Sequence, residues 1–116
     1  MSMSHARQIP DTKPFSSAAE AWFWASAALR ARHEGARGGN RSMRTPRPCE
    51  PDDVVKCVER LYRDRRIGLD HAAVLRVCGE RQGAPDPARH DQRACRLWRE
   101  ALERLDPGFR AKGIIA

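Results

Sequence analysis

Four cysteines and four histidines are the residues best suited to metal or nucleophilic chemistry in this 116-residue chain. Cys49, Cys57, Cys78 and Cys95 offer thiolates, and His5, His33, His71 and His90 offer imidazoles. A structural zinc site draws four such ligands together, and its signature is ligands paired across a short gap. No two cysteines here have C-x-x-C spacing, and no histidine sits in an H-E-x-x-H pattern. A zinc-stabilised module is kept as an alternative, with no metal ligand assigned. Cys57 falls on an apolar helical stripe, where a free thiol behaves as a small hydrophobe.

Enzyme signatures are missing too. There is no Gly-rich phosphate loop followed by Lys and Ser or Thr, and no G-x-S-x-G elbow. Acid/base catalysis needs a dry cleft that shifts pKa values, and a small, highly charged helical domain has little room for one. The expectation is a protein that is not an enzyme and carries no cofactor.

Arginine is where the chemistry concentrates. It supplies 19 of the 22 basic residues, and the net charge is +7, with a pI of about 10.1. Its planar fork donates two parallel hydrogen bonds, which suits phosphates and base edges. Two groups stand out. Arg89, Arg93 and Arg96 lie in the first half of a stretch that reads as the cleanest amphipathic helix of the chain, expected over Ala88 to Asp106. Arg37, Arg41, Arg44 and Arg47 lie in a Gly- and Pro-interrupted stretch that reads as a flexible, phosphate-tracking arm. The expected partner is nucleic acid, with double-stranded DNA favoured.

Four helices must position these groups. The first starts near Phe15 or Ser16, with Ser16 or Ser17 as N-cap and Glu20 placed as in a capping box, and stops near Gly35. Trp22 lies on its apolar stripe while Phe23 and Trp24 point elsewhere. These three aromatics form either core or a patch for a protein partner, a second copy of the chain included. The second helix opens at Pro51 behind Glu50, and Val54, Cys57, Val58, Leu61 and Tyr62 form its buried stripe. Arg63, Arg65 and Arg66 complement the dipole at its end. Gly68 breaks the pattern, Asp70 caps a third helix, and Ala73, Val74, Val77 and Cys78 face the core. The GAPDP turn then leads into the Ala88–Asp106 helix. There, Ala94, Leu97, Trp98, Ala101, Leu102 and Leu105 form one stripe. On the opposite face, Arg96–Glu100, Arg99–Glu103 and Glu100–Arg104 make pairs at i,i+4. Ile114 and Ile115 either pack back on the domain or dock on a partner.

The segment LYRDRRIGLDHAAVLRVCGE resembles the first part of bacterial helix-turn-helix units, such as sigma-factor region-four domains and phage late-transcription activators. Gly68, Leu69 and Asp70 match the cap, Ala73 and Val74 the short helix, and Gly79 its end. The resemblance covers about half the chain and implies that the next helix, from Ala88, enters the major groove. The loop from Glu80 to Pro87 departs from it by being longer than the usual tight turn.

The expected fold is all-α, a small domain of about four helices with a helix-turn-helix-like core. Its parts are a flexible tail over 1–14, an apolar helix over 15–35, a basic linker over 36–49 and a helical domain over 50–116. The expected function is a small basic DNA-binding protein of transcriptional regulation, with a homodimer as the expected assembly. The alternative is an adaptor that docks through Trp22, Phe23 and Trp24. No apolar run is long enough to span a bilayer and no signal-peptide layout is visible, so a cytoplasmic location is expected.

Overall fold

The computed structural model describes residues 13–35, 47–89 and 91–116. They form four helices: α1 (Ala18–His33), α2 (Pro51–Arg63), α3 (Leu69–Arg81) and α4 (Gln92–Ala111). The fold is all-helical. The described residues hold no strand beyond a single parallel bridge between Phe15 and Ile115. No helix among them is long and apolar enough to cross a membrane. The expected tail over 1–14 falls almost wholly outside the described residues.

Side chains at each helix start satisfy backbone donors that the helix itself leaves unbonded. Ser17 caps α1 by accepting from the Glu20 amide at 3.1 Å. The Glu20 carboxylate reaches one residue further back than a standard box and accepts from the Ser16 amide at 2.7 Å. That bond, and a second from the Ser16 hydroxyl at 2.7 Å, hold the Glu20 carboxyl below its usual range. Asp53 accepts from the Glu50 amide at 2.8 Å, with Pro51 opening α2. α1 ends at His33, two residues before Gly35, whose φ of +73° is comfortable for glycine.

Three boundaries differ from the sequence reading. α3 is capped from Gly68, not Asp70. His71 Nδ1 accepts the Gly68 amide at 3.0 Å, and Asp70 lies inside the first turn. α4 starts at Gln92 and not at Ala88, because Asp91 caps it by accepting from Ala94 at 2.8 Å. The preceding residues are held in a turn of their own, with Asp86 Oδ1 accepting from Ala88 at 2.9 Å. α4 also runs through Pro107 to Ala111. The proline sacrifices one backbone bond. Beyond it, Phe109 is fully buried and continues the stripe of Ala101 and Leu105 at i,i+4 spacing.

One core joins all four helices. Phe15, Ala18, Ala21, Trp22 and Ala25 meet Val54, Cys57, Leu75, Cys78, Trp98, Ala101, Leu105 and Phe109. The stretch read as a separate apolar helix over 15–35 therefore shares its core with the stretch over 50–116. The alanines on α1 bring helix axes close, and Gly79 of α3 takes this furthest. A Cβ there would lie 2.4 Å from Ser26 Oγ and 3.1 Å from Trp22 Nε1, so any larger residue would force Ser26 to shift at the α1–α3 crossing. Gly79 thus lies within the helix rather than at its end. Trp22 Nε1 donates to the Leu75 carbonyl at 2.8 Å across the same contact.

That docking sets the rotation of α3. Leu75, Cys78 and Gly79 are buried, while Ala73 is exposed and Val77 is 39% exposed, against the expectation that both face the core. Tyr62, expected on the buried stripe of α2, is 45% exposed. At the C-terminus, Ile114 and Ile115 fold back into the core. The Phe15 amide donates to the Ile114 carbonyl at 2.9 Å, and the Ala116 amide donates to the Phe15 carbonyl at 3.1 Å.

Candidate nucleic-acid interface

The arginines expected on the final helix are divided by its late start. Arg89 lies in the preceding turn, where its amide donates to the Asp86 carbonyl at 2.9 Å. Arg93 and Arg96 are on α4, and both are paired. Arg93 Nη2 donates to Asp70 Oδ2 at 2.9 Å, tying α4 to α3. Arg96 Nε lies 3.7 Å from Glu100 Oε2 and Arg104 Nη1 3.9 Å from Glu100 Oε1, as the i,i+4 spacing predicts. The expected Arg99–Glu103 pair is not formed among the described residues. Exposed pairs of this kind contribute under about 1 kcal/mol each, but they lower the net charge of the face.

Glu100 anchors that face. It lies 2.9 Å from His71 Nε2. His71 Nδ1 already accepts the Gly68 amide, so the ring proton is on Nε2 and donates to Glu100. The His71 hydrogen bond, aided by Arg104 and Arg96, holds the Glu100 carboxyl below its usual range. With both ring nitrogens engaged, His71 is an α3 cap and an α3–α4 strut. It has no free nitrogen for proton transfer.

Of the expected arm, Arg37, Arg41 and Arg44 fall outside the described residues, as does His90. Arg47 is described, and it is engaged within the domain. Its guanidinium sits 4.2 Å above the Phe15 ring, and Nη1 donates to the Lys13 carbonyl at 3.1 Å. It covers the Phe15 end of the core rather than extending with an arm.

The aromatics of α1 also serve the interior. Trp22 is buried, Phe23 stacks on Trp98 with centroids 5.5 Å apart, and Trp24 packs against Phe15 at 5.0 Å. The exposed large hydrophobics among the described residues are Tyr62, Leu69 and Val77. Burial, and then the nearby Asp53 carboxylate, push the Cys49 thiol up to about 11, and burial raises Cys57 and Cys78 as well. No group of three or more His, Cys, Asp or Glu among the described residues is placed to hold a metal ion.

A different cationic surface emerges at the end of α2. Arg60, Arg63, Arg65 and Arg66 project there, joined by Lys56 and, from the end of α4, Lys112. None of these six has an ion pair among the described residues. Two open grooves share Arg63 and Arg66. One, of about 680 Å³, runs along the α2–α3 turn past Tyr62, Arg65 and Leu69. The other, of about 530 Å³, lies between α2 and α4 and includes Lys56, Arg60, Arg104 and Lys112 against Glu59 and Asp64. Cations converging on adjacent concave surfaces create a positive field that attracts a polyanion.

The backbone of this turn is informative. The Arg66 amide bonds the Leu61 carbonyl at 2.8 Å and the Arg65 amide the Tyr62 carbonyl at 3.0 Å, closing α2 in a Schellman motif. The left-handed position of that motif, normally glycine, is Arg65 with φ of 62°. α3 ends the same way, with Gln82 at φ of 56°. Gln82 has a local reason to be there: its Nε2 donates to the Phe23 carbonyl at 3.0 Å and the Gly79 carbonyl at 2.8 Å. The Arg65 side chain makes no such bond among the described residues.

Sequence reasoning assigned Arg63, Arg65 and Arg66 to the helix dipole and passed over them as a site. The available signal was density: four arginines against one acid, Asp64, between positions 60 and 66. Comparison with known proteins adds no constraint, since no family model, no curated protein and no solved structure matches the chain.

Proposed function

We propose that this is a small basic DNA-binding protein whose principal contact surface is the cationic face at the end of α2. The observation that carries this is the group of six cations, Lys56, Arg60, Arg63, Arg65, Arg66 and Lys112, with no ion pair among the described residues. The net charge of +7 supports a polyanionic partner. The resemblance of the α2–α3 segment to helix-turn-helix proteins supports DNA as the polymer and transcriptional regulation as the setting. Arg89, Arg93 and Arg96 take a secondary role in this reading, since acids already partner two of them. The adaptor reading has less to work with, because Trp22 is buried and the half-buried Phe23 and Trp24 are packed on Trp98 and Phe15.

The test is fluorescence anisotropy of labelled DNA across a salt series. Engagement of about four phosphates gives an affinity that falls roughly a hundred-fold between about 50 and 200 mM salt. Absence of binding at the lowest salt removes the reading.

A further inference from the structure

We propose that the groove along the α2–α3 turn takes an unpaired nucleotide, with its base stacked on Tyr62 and its phosphates held by Arg63, Arg65 and Arg66. The inference rests on the DNA-binding reading above and specifies the form of the polymer. Tyr62 is 45% exposed and Leu69 is 71% exposed. Both line the 680 Å³ groove, and both also line a smaller groove of about 360 Å³ with Val58 and Ala72. An aromatic ring and a leucine thus stand open to solvent amid arginines that have no acidic partner among the described residues.

A duplex offers such a surface only phosphates and sugars, because its base faces are already stacked on one another. Tyr62 and Leu69 would gain little from it. An unpaired strand offers a base face beside each phosphate, which is the pairing of chemistries this groove presents. Arg65 fits the same account. It occupies a left-handed position that glycine adopts without strain, and among the described residues its side chain has no bond like those holding Gln82. His71, which also lines the groove, has both ring nitrogens engaged within the domain.

The experiment compares a labelled oligothymidylate of roughly 12 nucleotides with a duplex of the same length at low salt. The oligothymidylate is expected to bind more tightly. Tyr62→Ala should weaken it roughly ten-fold and the duplex by less than about two-fold, while Tyr62→Phe retains the stacking face and the affinity. Leu69→Ala, at a position too exposed to disturb folding, should weaken the oligothymidylate selectively. A thermal melt of each variant establishes that it is folded. Equal losses for both polymers, unchanged oligothymidylate binding in folded Tyr62→Ala, or a change in oligomeric state in place of affinity would each overturn the proposal. If both polymers bind through Arg63 and Arg66 but ignore Tyr62, the stacking inference fails and the DNA-binding reading stands. If neither polymer binds, the DNA-binding reading fails as well.

Discussion

Two arginine-rich faces of this domain are built in opposite ways. On the α3–α4 face, Arg93 pairs with Asp70, Arg96 with Glu100, and Glu100 also holds His71. On the face at the end of α2, Arg60, Arg63, Arg65 and Arg66 have no such partners among the described residues. The first face uses charge to fasten one helix to another. The second leaves charge available to something outside the domain. Counting arginines in the sequence gives both faces similar weight, and only the location of the acids separates them.

The strongest way to break this comparison is charge reversal. Arg63 and Arg66 line both grooves, so R63E/R66E should lower DNA affinity at least about a hundred-fold while leaving the melting temperature nearly unchanged. Anisotropy and circular dichroism melts read the two effects. A smaller effect sharpens the contrast between the two left-handed turns. Arg65→Gly should stabilise the fold by about 1 kcal/mol, because glycine adopts this φ without strain, and should weaken DNA binding by removing one cation. Gln82→Gly should bring no such gain, because it loses the bonds to Phe23 and Gly79. Chemical denaturation distinguishes the two.

The comparison also works in reverse. Asp70→Asn with Glu100→Gln should free Arg93 and Arg96 and raise DNA affinity by about three-fold, while the new amide oxygen at position 100 still accepts the His71 bond. Acidification probes the same group. The folded state holds the Glu100 carboxyl below the ordinary glutamate value of 4.5, so its contribution to stability is present above that value. It is lost as pH falls through the lowered value. Between about pH 5 and 3 the melting temperature should therefore fall more steeply for the wild-type protein than for Glu100→Gln.

Much of the fold was legible from local chemistry. Ser17, Glu20, Pro51 and Gly35 marked helix ends because capping and backbone geometry are set by a few adjacent residues. The rotation of α3 was not legible. Ala73, Val74, Leu75, Val77 and Cys78 wrap apolar side chains around much of that helix, so periodicity does not choose a face. The choice is made by Gly79 meeting Ser26 and Trp22, a contact between residues more than fifty positions apart. α4 runs past the expected Asp106 because the burial of Phe109 on its stripe outweighs the helix-breaking cost of Pro107, which periodicity up to Leu105 does not reveal. Of the proposed site, the sequence carries only the density of positive charge; whether an arginine is partnered depends on tertiary neighbours, as Asp70 and Arg93 show.

We propose that the end of α2, and not the start of α4, carries polyanion binding. The most direct measurement compares R60A/R63A/R66A with R89A/R93A/R96A, two variants that remove the same charge, by DNA anisotropy across a salt series. The account predicts that R60A/R63A/R66A loses well over ten-fold in affinity and flattens the salt slope by about two to three, while the other variant stays within a few-fold of wild type. Equal losses, or a larger loss in R89A/R93A/R96A, would contradict it.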